Sequence, residues 1–464
     1  MRARYVPVFL HGGSYTTPTI MLNQSLLRNV RRVLSNGRSA STTSISQKYK
    51  VLVVGGGSGG LTVAQQIYNR FEAAGKPLNP GDIAIVDGAE NHYYQPGWTL
   101  VGSGINPKSD FTRPLASLVP KHIALIPENV KAFSPTSSSI TTTAGRDITY
   151  DTLVVAAGLQ INYDAIKGLP AALADANSGV STIYSSQTCD KVWTDIENLK
   201  SGNAVFTQPS GIIKCAGAPQ KIMWMAWDRF CRTGRNDTKV DFYTGMPTMF
   251  SVKKYSDALN ALREQRGVGG HFAHELISID AANKRATFKK SDDGVHVKVD
   301  YSFLHATPPM GPLNVFKGTE IADAAGWVTV DKGTLQHVKP EFGNIFALGD
   351  CSSLPTSKTA AAITAQAPIL TENLYSFINT GKVASTKYDG YTSCPLLTGY
   401  GELMLAEFKY DLLPKESFSN IFDQSRSNRF FYHLKKDVFP YVYWNYMVNG
   451  RWFGTNGLKR PELS

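Results

Sequence analysis

Lys50-Val-Leu-Val-Val-Gly-Gly-Gly-Ser-Gly-Gly-Leu-Thr-Val-Ala64 reads as a buried strand that runs into glycines and then opens a helix. Gly55, Gly57 and Gly60 stand in G-x-G-x-x-G register, with Ser58 and Gly59 between the last two. That spacing allows a tight turn, a close backbone approach to a pyrophosphate at the helix N-terminus, and tight packing of helix on strand. The next strand, predicted over 82–86, ends at Asp87, placed to accept hydrogen bonds from a ribose. An acid there favours a free 2′-hydroxyl, hence FAD or NAD over NADP. The strand-to-acid separation is long because residues 75–81 add a Gly- and Pro-rich loop. The expectation is an α/β fold that begins with a Rossmann-like dinucleotide-binding domain.

A second α/β unit is predicted further along, with a first strand at 204–207, a helix opening near Pro219, and a next strand at 239–243. Its turn reads Val205-Phe-Thr-Gln-Pro-Ser-Gly-Ile-Ile-Lys-Cys-Ala-Gly-Ala-Pro-Gln-Lys221, without the glycine spacing. Ile212, Ile213 and Lys214 crowd the approach a nucleotide would need, and the next strand ends in Tyr-Thr where a ribose acid would stand. Both nucleotide determinants are missing, and a thiol, Cys215, takes their ground. Near a helix N-terminus and beside Lys214 and Lys221, that thiol is expected to have a depressed pKa. A lone cysteine is more often an inert packing residue. The other cysteines are Cys189, Cys231, Cys351 and Cys394, and no C-x-x-C or zinc spacing joins them. Cys189, Cys231 and Cys351 read as packing residues.

Two further segments bear on the cofactor. Residues 148–158, ending Ala-Ala-Gly158, form a strand closing on a small-residue turn, and residues 343–350 form another, ending Gly-Asp350. With the first fingerprint they resemble the two-dinucleotide-domain flavoprotein family (glutathione-reductase-like). The resemblance implies non-covalent FAD, with Asp350 on the ribityl chain and a backbone group at Val130 meeting the adenine. Residues 92–98, His-Tyr-Tyr-Gln-Pro-Gly-Trp, match a loop brought over the flavin, which makes Gln95 a flavin neighbour. The aromatic residues of that loop fit packing beneath the domain equally well. The helix N-terminal amides around Lys358, Thr359, Ala360 and Ala361 are expected to face the flavin pyrimidine and stabilise charge on the reduced ring.

The chain of 464 residues is too long for one core, and two domains plus extensions are expected. Its net charge of +11 does not describe a nucleic-acid binder, because seven of the positive charges lie in residues 1–48, which contain no Asp or Glu. The remainder carries only +4. The leading segment is Arg- and Ser-rich, with Leu22, Leu26, Leu27, Val30 and Leu34 near one face of a candidate helix. That is the pattern of a mitochondrial presequence, with a disordered basic tail as the alternative, and cleavage is expected between Arg38 and Lys48. At the other end, residues 426–453 interleave ten aromatic residues with Arg426, Arg429, Lys435, Lys436 and Arg451. Phe431, Leu434 and Val438 repeat at helical spacing, and Pro440 is expected to break the segment or to start a second short helix. No run reaches the length of a membrane span. The composition describes an amphipathic segment lying in a membrane interface. A helix packed on the protein body, or a dimer contact, has the same composition.

The stretches Lys214-Cys-Ala-Gly-Ala-Pro-Gln-Lys221, His305-Ala-Thr-Pro-Pro-Met-Gly-Pro312, Thr356-Ser-Lys-Thr-Ala-Ala-Ala362 and Tyr388-Asp-Gly-Tyr-Thr-Ser-Cys-Pro395 closely resemble the mitochondrial sulfide:quinone oxidoreductase family. The resemblance runs from about Lys50 to Phe453. It implies a redox-active pair, Cys215 with Cys394, beside FAD. It also implies hydrogen sulfide as electron donor, ubiquinone as acceptor, and a small nucleophile such as glutathione or sulfite to take the sulfur. By the same resemblance, hydrosulfide attacks the bridged pair, leaving a persulfide on Cys394 and a thiolate on Cys215. The expected location is the inner mitochondrial membrane surface, held peripherally. Five segments are expected: a presequence, 1–48; a first part of the FAD domain, 49–164; a second domain without its nucleotide fingerprint, 165–320; the rest of the FAD domain, 321–395; and a quinone- and membrane-facing region, 396–464. Two rivals stay open at this point. One is a type II NADH:quinone dehydrogenase of the same fold, and the other is a redox-inactive flavoprotein acting as an interaction factor.

Overall fold

The computed structural model describes residues 47–460. The expected presequence lies outside the described residues except for its last two. Gln47 and Lys48 belong to the first strand, Gln47–Val54, where they pair with Ile148 and Thr149. The strand extends because its parallel partner, Asp147–Val155, is nine residues long, and Lys48 adds an ion pair to Asp151 at 2.6 Å.

That first strand sits centrally in a seven-stranded sheet. Ile83–Val86 and then Ile123–Ile126 pair beyond it on one side, all in parallel register. On the other side the long Asp147–Val155 strand is shared. Its first half pairs antiparallel with Ser139–Thr142, and Leu153 to Val155 pair in parallel with Ile345–Ala347. These strands are near-continuous runs of Val, Ile and Leu, as expected when both faces of a parallel sheet are covered. Helices Ser58–Ala73 and Ala360–Thr380 pack together, tied by Arg70 Nε, which donates to both carboxylate oxygens of buried Glu372.

The second sheet has five short parallel strands, in the order Val180–Ser181, Phe303–His305, Gly202–Gln208, Thr238–Thr244, Gly269–His271. Helix Ala218–Arg232 follows its central strand with Pro219 in the first turn, where a missing amide costs no hydrogen bond. A three-stranded antiparallel sheet over residues 274–300 borders this unit. Strands Thr392–Gly399 and Glu402–Phe408 form a hairpin packed on helix Ala218–Arg232.

The C-terminal segment is helical without interruption from Arg429 to Met447. α-Helical Arg429–His433 and Phe439–Val442 alternate with π-helical Leu434–Val438 and Tyr443–Met447. Pro440 neither breaks the helix nor begins a separate one. The wider π turns on each side change the hydrogen-bond register, so a residue without an amide fits. No helix among the described residues is long and apolar enough to cross a membrane.

Candidate active site

The C-terminal ends of the first sheet's strands open on a cavity of about 750 Å³ that runs to the C-terminal helix. The glycine loop forms one end. Gly55 has φ of +101°, and a Cβ there would strike the Ala156 carbonyl. A Cβ on Gly60 would run into the Gly55 carbonyl, while a Cβ on Gly57 would meet nothing within 4 Å. The first glycine thus makes the turn, the third lets helix approach strand, and the second leaves open the ground a diphosphate occupies. Asp87 accepts from the Gly56 amide at 2.6 Å and the Ala89 amide at 2.8 Å, which aims its carboxylate at the ribose end.

The cavity brings together Gly55, Gly57, Ser58, Gly59, Asp87, Gln95, Gly158, Cys215, Asp350, Lys358, Thr359, Ala360 and Ala361. Three of the expected residues lie elsewhere. Gly60 is behind the loop, against the first strand. Val130 opens the edge strand Val130–Ser134, paired with Thr142, and does not reach the lining. Cys394 is buried one layer deeper, beside Cys215. At the far end Thr359 caps helix Ala360–Thr380 by accepting from the Ala362 amide at 3.0 Å, which leaves the other first-turn amides toward the cavity. Burial pushes the Asp350 carboxyl up against the opposing pull of Lys358 and Lys214. These features fit a flavin dinucleotide: an open cradle, a ribose acceptor, a half-buried carboxylate for a polyol and a helix N-terminus for the pyrimidine edge.

The two sulfurs arrive by different routes. Cys215 ends the loop from Gly202–Gln208, with a left-handed φ of +51°, and its amide donates to the Lys358 carbonyl at 2.7 Å. Such a backbone in a non-glycine residue is uncommon and tends to mark a site held by its surroundings. Cys394 comes from the hairpin, in register with Ala406. A Cβ on Gly217 would sit 2.5 Å from the Cys394 sulfur, so only glycine lets the strand come this close. Lys221, one turn into the helix and 2 % exposed, donates to the Cys215 sulfur at 3.1 Å.

The electrostatics follow. The Cys394 thiol donates to Cys215, and this hydrogen bond, followed by the Lys221 charge, overcomes burial and holds Cys215 well below the ordinary thiol range. Cys394 is raised, first by that same hydrogen bond and then by burial. Within the pair Cys215 is thus the sulfur favoured as thiolate and Cys394 the one favoured as thiol. Burial alone would drive Lys221 toward neutrality, but the two sulfurs outweigh it and keep it charged. Lys214 is the cation that does not join: its ammonium donates to Gln95 at 2.8 Å. Of the remaining cysteines, Cys351 is buried and donates to the Val155 and Leu348 carbonyls, and Cys189 is buried, its thiol pushed up to about 12 by desolvation. Cys231, expected to be packed, is exposed, because helix Ala218–Arg232 turns that face to solvent near its end.

Four contributors escape a reading by motif. Lys435 is 3 % exposed, lies in the cavity wall, and donates to the Pro96 carbonyl at 3.2 Å. In sequence it is one of several cations among aromatics. Gly217 lies inside a quoted motif without any spacing that marks it. His92 and Tyr443 also line the cavity and join across 2.5 Å, although 351 residues separate them.

A family model, pyridine nucleotide-disulphide oxidoreductase, matches residues 49–204. The mitochondrial sulfide:quinone oxidoreductase of Schizosaccharomyces pombe is 51% identical over 457 residues, spanning 95% of this chain and 99% of that protein. The chain belongs to the sulfide:quinone oxidoreductase family. The Mus musculus mitochondrial member is 42% identical over 415 residues, covering 89% of each chain. The crystal structure of the sulfide:quinone oxidoreductase from Aquifex aeolicus shares the fold, with a TM-score of 0.68 and 17% identity over 86% of this chain and 92% of that one. The paired cysteines and the glycine cradle described above are therefore features of a flavoprotein of this family.

Two consequences of the buried charges are measurable. Lys221→Met removes the ammonium beside Cys215, so the pH profile of Cys215 alkylation by iodoacetamide moves upward, and the rate near neutral pH falls about tenfold or more. Lys435 is lowered to about 7, by burial first and then by the Lys221 charge. Its burial penalises folding fully below pH 7 and progressively less as pH rises toward the ordinary lysine range, where the unfolded chain also loses the proton. Lys435→Met should accordingly raise the melting temperature most at pH 6 and least at pH 10, as read by thermal denaturation.

Proposed function

We infer that this chain is a mitochondrial sulfide:quinone oxidoreductase in which Cys215 and Cys394 carry the sulfur chemistry. The observation that carries the reading is the meeting of the two sulfurs beside one buried ammonium, against a cavity that fits a flavin dinucleotide. In the oxidised enzyme the two cysteines are bridged. Hydrosulfide attacks the sulfur of Cys394, the bond to Cys215 breaks, and Cys215 leaves as a thiolate while Cys394 becomes a persulfide. Lys221 stabilises the departing thiolate, because a sulfur anion buried without a counter-charge would be costly. FAD, held by the 55–60 loop, Asp87, Asp350 and the helix end at 359–361, supplies the two-electron relay from that thiolate to ubiquinone. A small nucleophile, such as glutathione or sulfite, then takes the outer sulfur of the persulfide, and the cysteine bridge forms again.

The NADH dehydrogenase reading lacks this support. At the end of strand Gly202–Gln208 the Ser210 amide is taken by the Glu275 carboxylate at 2.9 Å. A negative group thus stands in the crevice where a pyrophosphate would bind.

The quinone and membrane side is read from the C-terminal region. Leu434, Val438, Phe439, Val442 and Trp452 line the cavity near its end. Ile421, Tyr441, Leu413 and Phe430 stand exposed nearby in sequence, at 75%, 60%, 51% and 44%. Exposed apolar groups with interleaved lysines and arginines support peripheral attachment to the inner mitochondrial membrane, with ubiquinone entering from the lipid.

Anaerobic titration with sulfide is expected to bleach the flavin and give a long-wavelength charge-transfer band, and Cys215→Ser should abolish both. Rapid flavin reduction by sulfide in the Cys215→Ser protein would sink the cysteine mechanism. The double variant Ile421→Glu, Tyr441→Glu should bind vesicles of mixed neutral and anionic phospholipid at least about fivefold more weakly in sedimentation. Unchanged binding would return the segment to a packing or dimer role.

A further inference from the structure

The C-terminal helix does more than border the cavity: it reaches the glycine loop at the opposite end. Tyr443 projects from the π-helical turn Tyr443–Met447, and its hydroxyl lies 2.7 Å from Ser58 Oγ and 2.5 Å from His92 Nε2. The other ring nitrogen of His92 lies 2.9 Å from the Gly56 carbonyl. The direction of each bond can be assigned. A carbonyl only accepts, so His92 Nδ1 carries the proton, and burial keeps the ring neutral by lowering its pKa. Nε2 is then an acceptor, Tyr443 donates to it, and Ser58 donates to Tyr443. The ring contacts agree with a seated helix: Tyr94 lies 4.6 Å from Tyr443, and the Arg113 guanidinium covers Trp444 at 4.8 Å.

Gly56 is therefore gripped through both of its flanking peptide planes. Its amide donates to Asp87 at 2.6 Å and its carbonyl accepts from His92. Every peptide bond among the described residues is trans, so the Gly57 amide points opposite to the Gly56 carbonyl, away from His92. Gly57 is also the position where a Cβ meets nothing within 4 Å. The orientation of the amide that faces the diphosphate ground is thus fixed by a chain of bonds beginning on the C-terminal helix. A glycine loop has no side chains to hold its peptide planes, so an external hold matters here more than elsewhere.

We propose that Tyr443 is a positioning residue for the cofactor: through His92 it sets the conformation of the 55–60 loop, so that FAD binding and seating of residues 429–447 are one coupled event. The proposal rests on the FAD site described above. The coupling is reciprocal, because a helix that tightens FAD must itself be held more firmly when FAD is bound.

The test uses the full-length protein with FAD added or withdrawn. Tyr443→Phe should weaken FAD binding about tenfold, measured by quenching of flavin fluorescence on titration. In the wild-type protein FAD should slow tryptic cleavage after Arg426 and Arg451, and in Tyr443→Phe that protection should be lost. If Tyr443→Phe fails to fold, His92→Asn serves in its place. The asparagine amide can donate to Gly56 but offers no ring nitrogen to Tyr443, so FAD protection of the C-terminal segment should again disappear. FAD affinity within twofold of wild type in Tyr443→Phe, or protection retained in either variant, would overturn the proposal. Reduction of wild-type flavin by sulfide is scored separately, so failure of the catalytic reading is distinguishable from failure of this one.

Discussion

A buried ammonium facing two sulfurs, Cys394 buried and Cys215 half-buried at the cavity wall, is the constraint around which this molecule is arranged. Lys221 is almost without solvent, and so is Cys394. An isolated charge in either place would be expelled or neutralised. Together they are mutually sustaining: the ammonium keeps Cys215 ionised, and the ionised sulfur keeps the ammonium charged. Everything that fixes these side chains is consequently exacting. The Cys215 backbone is left-handed and pinned to Lys358, and Gly217 has no side chain to obstruct Cys394.

The same cavity serves two ends of the chain. Loops at the ends of the first sheet form its cradle, the loop after Gly202–Gln208 brings one sulfur, the hairpin sets the other just behind it, and the C-terminal helix brings Lys435 and an apolar rim. Such a division places polar and charged work at one end and apolar work at the other, as a reaction between a small anion and a hydrophobic quinone requires. The C-terminal helix contributes to both, since one of its turns touches the glycine loop while neighbouring residues stand exposed.

Much of this was legible in the residues. The first fingerprint was readable because a diphosphate cradle demands glycines at fixed intervals. The strands at 202–208 and 238–244 run one or two residues beyond their predicted ends on each side. Boundaries of this kind depend on the length of the neighbouring strand, which local sequence does not contain. Pro440 was misleading because its usual effect assumes an α-helical register, and here π turns surround it. Val130 was assigned to the cofactor by analogy of position; it opens an edge strand and is not among the residues that line the cavity. Cys231 reads as buried by residue type, but the turn of its helix carries it outward.

The amino-acid sequence by itself determined the dinucleotide fold, because glycine spacing has a direct physical meaning, while the family and the pairing of Cys215 with Cys394 were read from the resemblance of longer stretches. Only the tertiary structure decided which lysine reaches Cys215, Lys221 and not Lys214, and it alone placed Gly217 beneath Cys394, Lys435 in the cavity wall, and Tyr443 on His92 and Ser58. These contacts join groups as far as 385 residues apart. Their energies come from burial and proximity, which are properties of the packed chain and of no local segment.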